Sequence, residues 1–154
     1  MTPADCPLCR DTGGLPIAQS ADWRVIRVLD APDFPAFYRL IWTPHVAEFS
    51  DLTAAQRVHC IEAVNAIEQV LRQALRPTKI NLASLGNVVP HLHWHVIARF
   101  DWDSHFPNPV WGSALRMLDG LDGPSAEARL ALSLRELDLR VADAVRRCGA
   151  QSAE

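Results

Sequence analysis

The run Pro90-His91-Leu92-His93-Trp94-His95-Val96-Ile97 places three of the chain's six histidines at strict alternation. Alternate side chains on a β-strand point to one face. The pattern predicts a strand from His91 to Phe100 with His91, His93 and His95 in a single row. Leu92, Trp94 and Val96 then pack behind it. Such a strand needs one apolar face buried and the other open enough for imidazoles to work. A row of imidazoles can attack, hold or donate protons to a phosphate, or bind a metal. The plain alternative is a solvated strand rich in histidine. Because half of a scarce residue sits on this one stretch, the chemical reading is preferred.

The rest of the chain supplies partners for that strand. Residues 1 to 20 read as irregular, with Cys6-Pro7-Leu8-Cys9 and the turn-like Thr12-Gly13-Gly14. Trp23 to Leu29 is rich in β-formers and predicts a strand; Asp30 to Pro35 is a proline-broken turn. Tyr38 to Thr43 predicts a second strand. Thr53-Ala54-Ala55-Gln56 is a capping-box start. The helix it opens runs to about Leu75, with Val58, Ile61, Val64, Ile67, Leu71 and Leu75 as an apolar stripe, and Pro77 closes it. Lys79 to Leu85 predicts a third strand, with Ser84 to Asn87 as its turn. Residues 101 to 124 hold Asp, Pro and Gly and predict a long loop, a kind more often functional than idle. Ser125 to Arg147 fits a helix with Leu130, Leu134, Leu137, Val141 and Val145 on one face. Leu132 and Leu139 fall off that face, so a break is expected. Strands joined by short turns and one helix suit an antiparallel sheet with helices on one face, the α+β class.

Composition narrows the functional classes. A chain of 154 residues, 49% hydrophobic and 21% charged, suits one folded domain over residues 1–154. Its net charge of −3 and scattered arginines give no basic stripe, so nucleic acid is not an expected partner. No apolar run reaches the ~18 residues of a membrane helix, and no secretory signal stands at the N-terminus. A cytoplasmic protein is expected. In that compartment the four cysteines are thiols or ligands rather than disulfides. Cys60 and Cys148 read as packed or surface thiols.

The stretch His91-Leu92-His93-Trp94-His95-Val96-Ile97 resembles the histidine triad (HIT) family, whose pattern is His-apolar-His-apolar-His-apolar-apolar. Gly86-Asn87-Val88 is similar to the family's Gly-Gln-apolar lead-in, with Asn for Gln. Ala31 to Pro35, Leu40 to His45 and Asp51-Leu52 resemble its turn, strand and helix start. Phe106-Pro107-Asn108-Pro109-Val110-Trp111-Gly112 resembles a bacterial branch of HIT hydrolases. The likeness covers roughly residues 20 to 115. It implies a HIT-like antiparallel sheet with one long helix and a C-terminal helix packed on it, usually in homodimers whose sheets run together.

The resemblance also implies a reaction. The enzyme would be a nucleotide hydrolase or nucleotidyl transferase, of the diadenosine polyphosphate hydrolase or nucleoside phosphoramidase kind. His93 would attack the α-phosphate and carry the nucleotidyl intermediate. His95 would contact the phosphate and help the leaving group, offsetting charge if cationic. His91 would support His93 or bind zinc. Asn87 could donate to a phosphate oxygen, although its side chain is one methylene shorter than the family's Gln. Asn81 lies near a phosphate-side Asn of the family, and Asp30 matches a ribose-holding position. Gly86 would let backbone approach the phosphates. Each has a bland counterpart: Asn87 as a turn cap, Asp30 as a turn start, Gly86 as a φ requirement. Trp111 would cover the substrate or the dimer edge, or simply pack.

Cys6-x-x-Cys9 is a half-site for tetrahedral zinc. By the resemblance, His45 and His91 complete a Cys₂His₂ set, giving a structural zinc and no cofactor required for catalysis. The alternative is two reduced thiols on a loose end. Two other functions compete with the leading one. The histidine row could itself hold a catalytic zinc, although no acidic residue lies inside the motif. Or the chain could be a nucleotide-binding module without catalysis.

Overall fold

The computed structural model describes residues 2–118 and 124–151. Five strands form one antiparallel sheet: β1 (Leu15–Gln19), β2 (Trp23–Arg27), β3 (Phe37–Trp42), β4 (Lys79–Ala83) and β5 (His93–Arg99). Their spatial order is β1-β2-β3-β5-β4. Three helices accompany them, the one-turn α1 (Pro7–Arg10), the long α2 (Ala54–Leu75) and α3 (Leu134–Gln151). The α+β architecture expected from the sequence is the one observed.

Both faces of the sheet are covered, which is why β2 and β3 read as nearly continuous apolar runs. One face sends Trp23, Val25, Tyr38, Leu40, Trp42, Val96 and Ala98 into a core closed by α2 and α3. The other face sends Ile26, Phe37, Ile41 and Ile97 against Cys6, Leu8 and Phe34. His93 and His95 belong to this second face. They stand opposite Ile41 and Arg39 of β3 in the sheet register.

Helix α2 has the predicted ends. Thr53 and Gln56 form the reciprocal capping box, and Arg76 adopts a left-handed conformation (φ 48°) just before Pro77. Its N-terminal part is rotated from the expected stripe. Val58 and Ile61 are exposed, while Cys60 and Ala63 are buried with Val64, Ile67, Leu71 and Leu75. Small side chains let the helix approach the sheet there, and a three-or-four spacing does not distinguish the two faces in one turn.

The N-terminal segment is not irregular throughout, as expected, but contains α1 and β1. Pro16 hid the strand. A proline lacks the ladder N–H and is tolerated only at an edge or bulge. β1 is the edge strand, and its pairing slips between Pro16 and Ala18. The C-terminal helix is broken, as Leu132 and Leu139 suggested. A short turn at Glu127–Arg129 precedes Ser133, whose Oγ accepts from the Glu136 amide as α3 begins. Leu130 and Leu132 pack on the core from outside the helix, and Leu139 is exposed. The expected loop 101–124 is irregular across its described part, and residues 119–123 lie outside the described residues. No helix among the described residues is long and apolar enough to cross a membrane.

Candidate active site

Strand β5 starts at His93, not at His91. The three histidines therefore do not form one row. The backbone turns at Pro90-His91, where the His91 amide bonds to the Val89 carbonyl. The His91 ring faces the N-terminal cysteines instead, and His93 and His95 stay together with ring centroids 4.8 Å apart.

The hydrogen bonds of these two rings assign opposite tautomers. His93 Nδ1 lies 2.6 Å from the His91 carbonyl oxygen. A carbonyl only accepts, so Nδ1 carries the proton and Nε2 presents a bare lone pair. His95 Nδ1 accepts from Arg39 Nε at 3.4 Å, so its proton sits on Nε2. Burial, with help from Arg39, holds His93 below the usual histidine range. Burial, then His93 and Arg39, push His95 down to about 3. Both rings are neutral near pH 7. In the free protein the fixed positive charge among the residues lining this part of the face is the Arg39 guanidinium.

A cavity of about 370 Å³ opens over these groups. His93, His95 and Arg39 form its floor, and Leu8, the Leu85–Val89 turn and Trp111 its walls. Two larger grooves, about 540 and 590 Å³, lie between β1 and α3 and along β4, and neither is lined by a histidine. Trp111 is half exposed, with its ring 5.0 Å from that of His95. Gly86 has φ +80°, and an added Cβ would meet nothing closer than 3.6 Å. The positive φ of this turn favours glycine, and no protein atom crowds the position.

The expected site residues separate into two groups. His93, His95, Gly86, Asn87 and Trp111 share the cavity. Asn81 lies in the neighbouring β4 groove, its Oδ1 accepting from Arg99 Nη1 at 2.7 Å. Asp30 is exposed after β2, is not among the residues lining the cavity, and favours the charged form of Arg39 through its own charge. The sequence reading missed Arg39 and Leu8. The available signal was a cation at the centre of Phe37-Tyr38-Arg39-Leu40-Ile41, a strand otherwise apolar on both faces.

Cys6, Cys9, His45 and His91 converge so that one ligand atom from each lies within 4.8 Å of all the others. His91 Nδ1 is 3.3 Å from Cys6 Sγ and 3.4 Å from Cys9 Sγ, and His45 Nδ1 is 3.3 Å from Cys9 Sγ. Zinc bonded at ~2.0–2.3 Å to such ligands has tetrahedral edges of about 3.5 Å, so the spacing and donor types fit. His91 Nε2 donates to the Trp42 carbonyl at 2.6 Å, which turns the Nδ1 lone pair toward the cysteines. Arg24 fastens the cysteine turn, its Nη2 donating to the carbonyls of Leu8 and Asp11.

The comparisons identify the family and the fold. The HIT domain family model matches residues 17–102. The fold is similar to histidine triad proteins from Bradyrhizobium japonicum (26% identity, 88% of this chain and 90% of that one, TM-score 0.64) and Sinorhizobium meliloti (26%, 86% and 90%, 0.65). A histidine triad protein from Marinobacter aquaeolei shares the fold at 20% identity, with 89% and 92% coverage and a TM-score of 0.67. No curated protein matches the sequence. An antiparallel five-stranded sheet presenting paired histidines beside a cavity, with the family match over most of the sheet, defines the class. The chain belongs to the HIT family.

Proposed function

We propose that this protein binds a nucleotide and cleaves at its α-phosphate through a covalent nucleotidyl-histidine on His93. The carrying observation is the 2.6 Å contact from His93 Nδ1 to the His91 carbonyl, which leaves Nε2 unprotonated at the cavity floor. A neutral imidazole so fixed is a competent nucleophile toward phosphorus. Nε2 forms a bond to phosphorus while the bond to the leaving group breaks, and its electron pair departs with that group. The adduct is a nucleotidyl-imidazolium whose Nδ1–H still donates to the His91 carbonyl. Water then attacks phosphorus, the N–P bond breaks, one proton passes to solvent and the imidazole is restored. His95 Nε2–H and the Asn87 amide supply donors for the phosphate oxygens. Trp111 supplies an apolar surface for the base.

Cys6, Cys9, His45 and His91 would hold a structural zinc that ties the N-terminal turn to the sheet. His91 then acts as a ligand and through its carbonyl, not as a phosphate contact. The competing idea of a catalytic metal on the histidine row has less support. Among the described residues His93 and His95 belong to no metal-ligating group of three or more. Exposed Leu82 on the edge strand β4 supports pairing with a second copy, which light scattering would test.

The deciding experiment mixes the protein briefly with a diadenosine polyphosphate or an adenosine phosphoramidate, quenches, and maps the adduct by mass spectrometry. A nucleotidyl group on His93 is the expected result. Turnover with no His93 adduct, or no turnover of either substrate, would overturn the proposal.

A further inference from the structure

We propose that Arg39 is a specificity-determining residue that grips the phosphate departing from the attacked phosphorus, so that the site selects an anionic phosphoryl leaving group over an amine. This rests on the nucleotidyl-transfer reading of the same cavity.

Arg39 occupies the middle of β3 with buried residues on both sides of it. Two other arginines, partly buried Arg27 and fully buried Arg99, have carboxylate partners from the protein, Asp138 at 3.0 Å and Asp103 at 2.7 Å. Arg39 has none within 4 Å among the described residues, and Asp30 acts on it only at longer range. Its Nε is committed to His95, its Cζ lies 5.7 Å from the centre of the Phe37 ring, and no hydrogen bond among the described residues holds its two terminal nitrogens. A half-buried guanidinium without a counterion is costly to maintain. The complement it lacks is an anion, and its fork suits a phosphate.

Register places that anion. His93 stands opposite Ile41 and His95 opposite Arg39. Arg39 is therefore two residues along β3 from the position facing the nucleophile, about 7 Å. That offset suits the next phosphate of an anhydride better than the phosphorus under attack.

The chemistry of departure agrees. A phosphate leaves as an anion when the bridging P–O bond breaks, with the electron pair on its own oxygen, and needs only compensating charge. An amine must take up a proton as the P–N bond breaks. The neutral His95 beside Arg39 is a poor source of that proton, and the guanidinium repels the ammonium that would form.

The test compares AMP with α,β-methylene-ADP, which carries the second phosphate but cannot be cleaved. Calorimetry should show wild-type protein binding the diphosphate about tenfold or more tighter, since charge-assisted bonds to a phosphate are strong. Arg39→Met should bring that ratio near one, and Arg39→Lys should leave it intermediate because the fork is lost. In turnover, Arg39→Met should lower kcat/KM for a diadenosine polyphosphate far more than for an adenosine phosphoramidate. Melting curves check folding, and Arg39→Lys carries the comparison if the Met variant does not fold. An unchanged binding ratio, or equal losses on both substrates, overturns the role of Arg39 and leaves the His93 reading intact. Wild-type protein that binds neither nucleotide and turns over neither substrate overturns both.

Discussion

Arg99 and Asp103 face each other at 2.7 Å, each side chain only 2% exposed. The pair fastens the loop that carries Trp111. Arg99 also donates to the Asn108 carbonyl and to Asn81, while Asp103 accepts from the amides of Phe100, His105 and Phe106. Removing one partner leaves the other charge buried and uncompensated. Asp103→Ala should cost about 3–5 kcal/mol of stability in urea unfolding. A loss below about 1 kcal/mol would match an exposed pair instead and refute the role given to it.

The same carboxylate predicts a pH dependence. Burial alone would raise the Asp103 pKa, but the Arg99 hydrogen bond, the His105 and Phe100 amides and the Arg99 charge outweigh it and hold the group below its usual range. A folded-state pKa below the unfolded value means the unfolded chain takes up protons first as pH falls. The stabilisation is complete above the unfolded carboxylate value of about 4 and is lost as pH drops through the lower folded value. The stability difference between wild type and Asp103→Asn should therefore be largest at neutral pH and shrink on acidification below about pH 4. A difference that grows toward acid would reverse the assignment.

His93→Asn removes the proposed nucleophile while keeping a polar side chain at the cavity floor. Turnover should fall by about 10³-fold or more, since a covalent pathway has no partial substitute for its attacking atom. Nucleotide affinity should stay within severalfold, because the other groups of the cavity remain. Loss of binding together with turnover, accompanied by loss of bound metal, would point instead to a catalytic metal on the histidine row.

Much of this fold was legible because its signals are local. Thr53, Gln56 and Pro77 mark the ends of α2 with their own chemistry, and the alternation in β5 shows its two faces. What escaped depends on contacts distant in sequence. His91 leaves the strand because its ring is engaged by Trp42 and by Cys6 and Cys9, 49 to 85 positions away. Nothing beside Asn81 in the sequence shows that Arg99, 18 residues on, donates to its oxygen. Arg39 in isolation is a charged residue in a strand, and only the register of β3 against β5 sets it beside His95. The convergence of Cys6, Cys9, His45 and His91 is the arrangement that the Cys-x-x-Cys spacing and the family likeness together lead one to expect.

Zinc removal should disturb the cavity as well as the N-terminus, because Leu8, between the two cysteines, forms part of the cavity wall. Purified protein should carry about one zinc per chain by elemental analysis, the number a single Cys₂His₂ site takes. Cys9→Ser should lower that occupancy and the melting temperature, because a metal held only by the folded state stabilises it by linkage. KM should rise more than kcat falls, since His93 keeps its bond to the His91 carbonyl. Metal-free protein with unchanged melting and kinetics would remove zinc from the account.

Trp111 is the remaining large group at the cavity mouth, half exposed and in edge contact with His95. An aromatic held there by the loop has apolar area to offer a planar base. Trp111→Ala should weaken nucleotide binding by about 1 kcal/mol, roughly fivefold, with a smaller effect on the chemical step. The variant should melt within a few degrees of wild type, because half of the residue is already exposed. Titration of a nucleotide against intrinsic tryptophan fluorescence gives a direct reading, since quenching should disappear with this ring. Quenching that survives in Trp111→Ala would assign the signal to another tryptophan and place the base elsewhere.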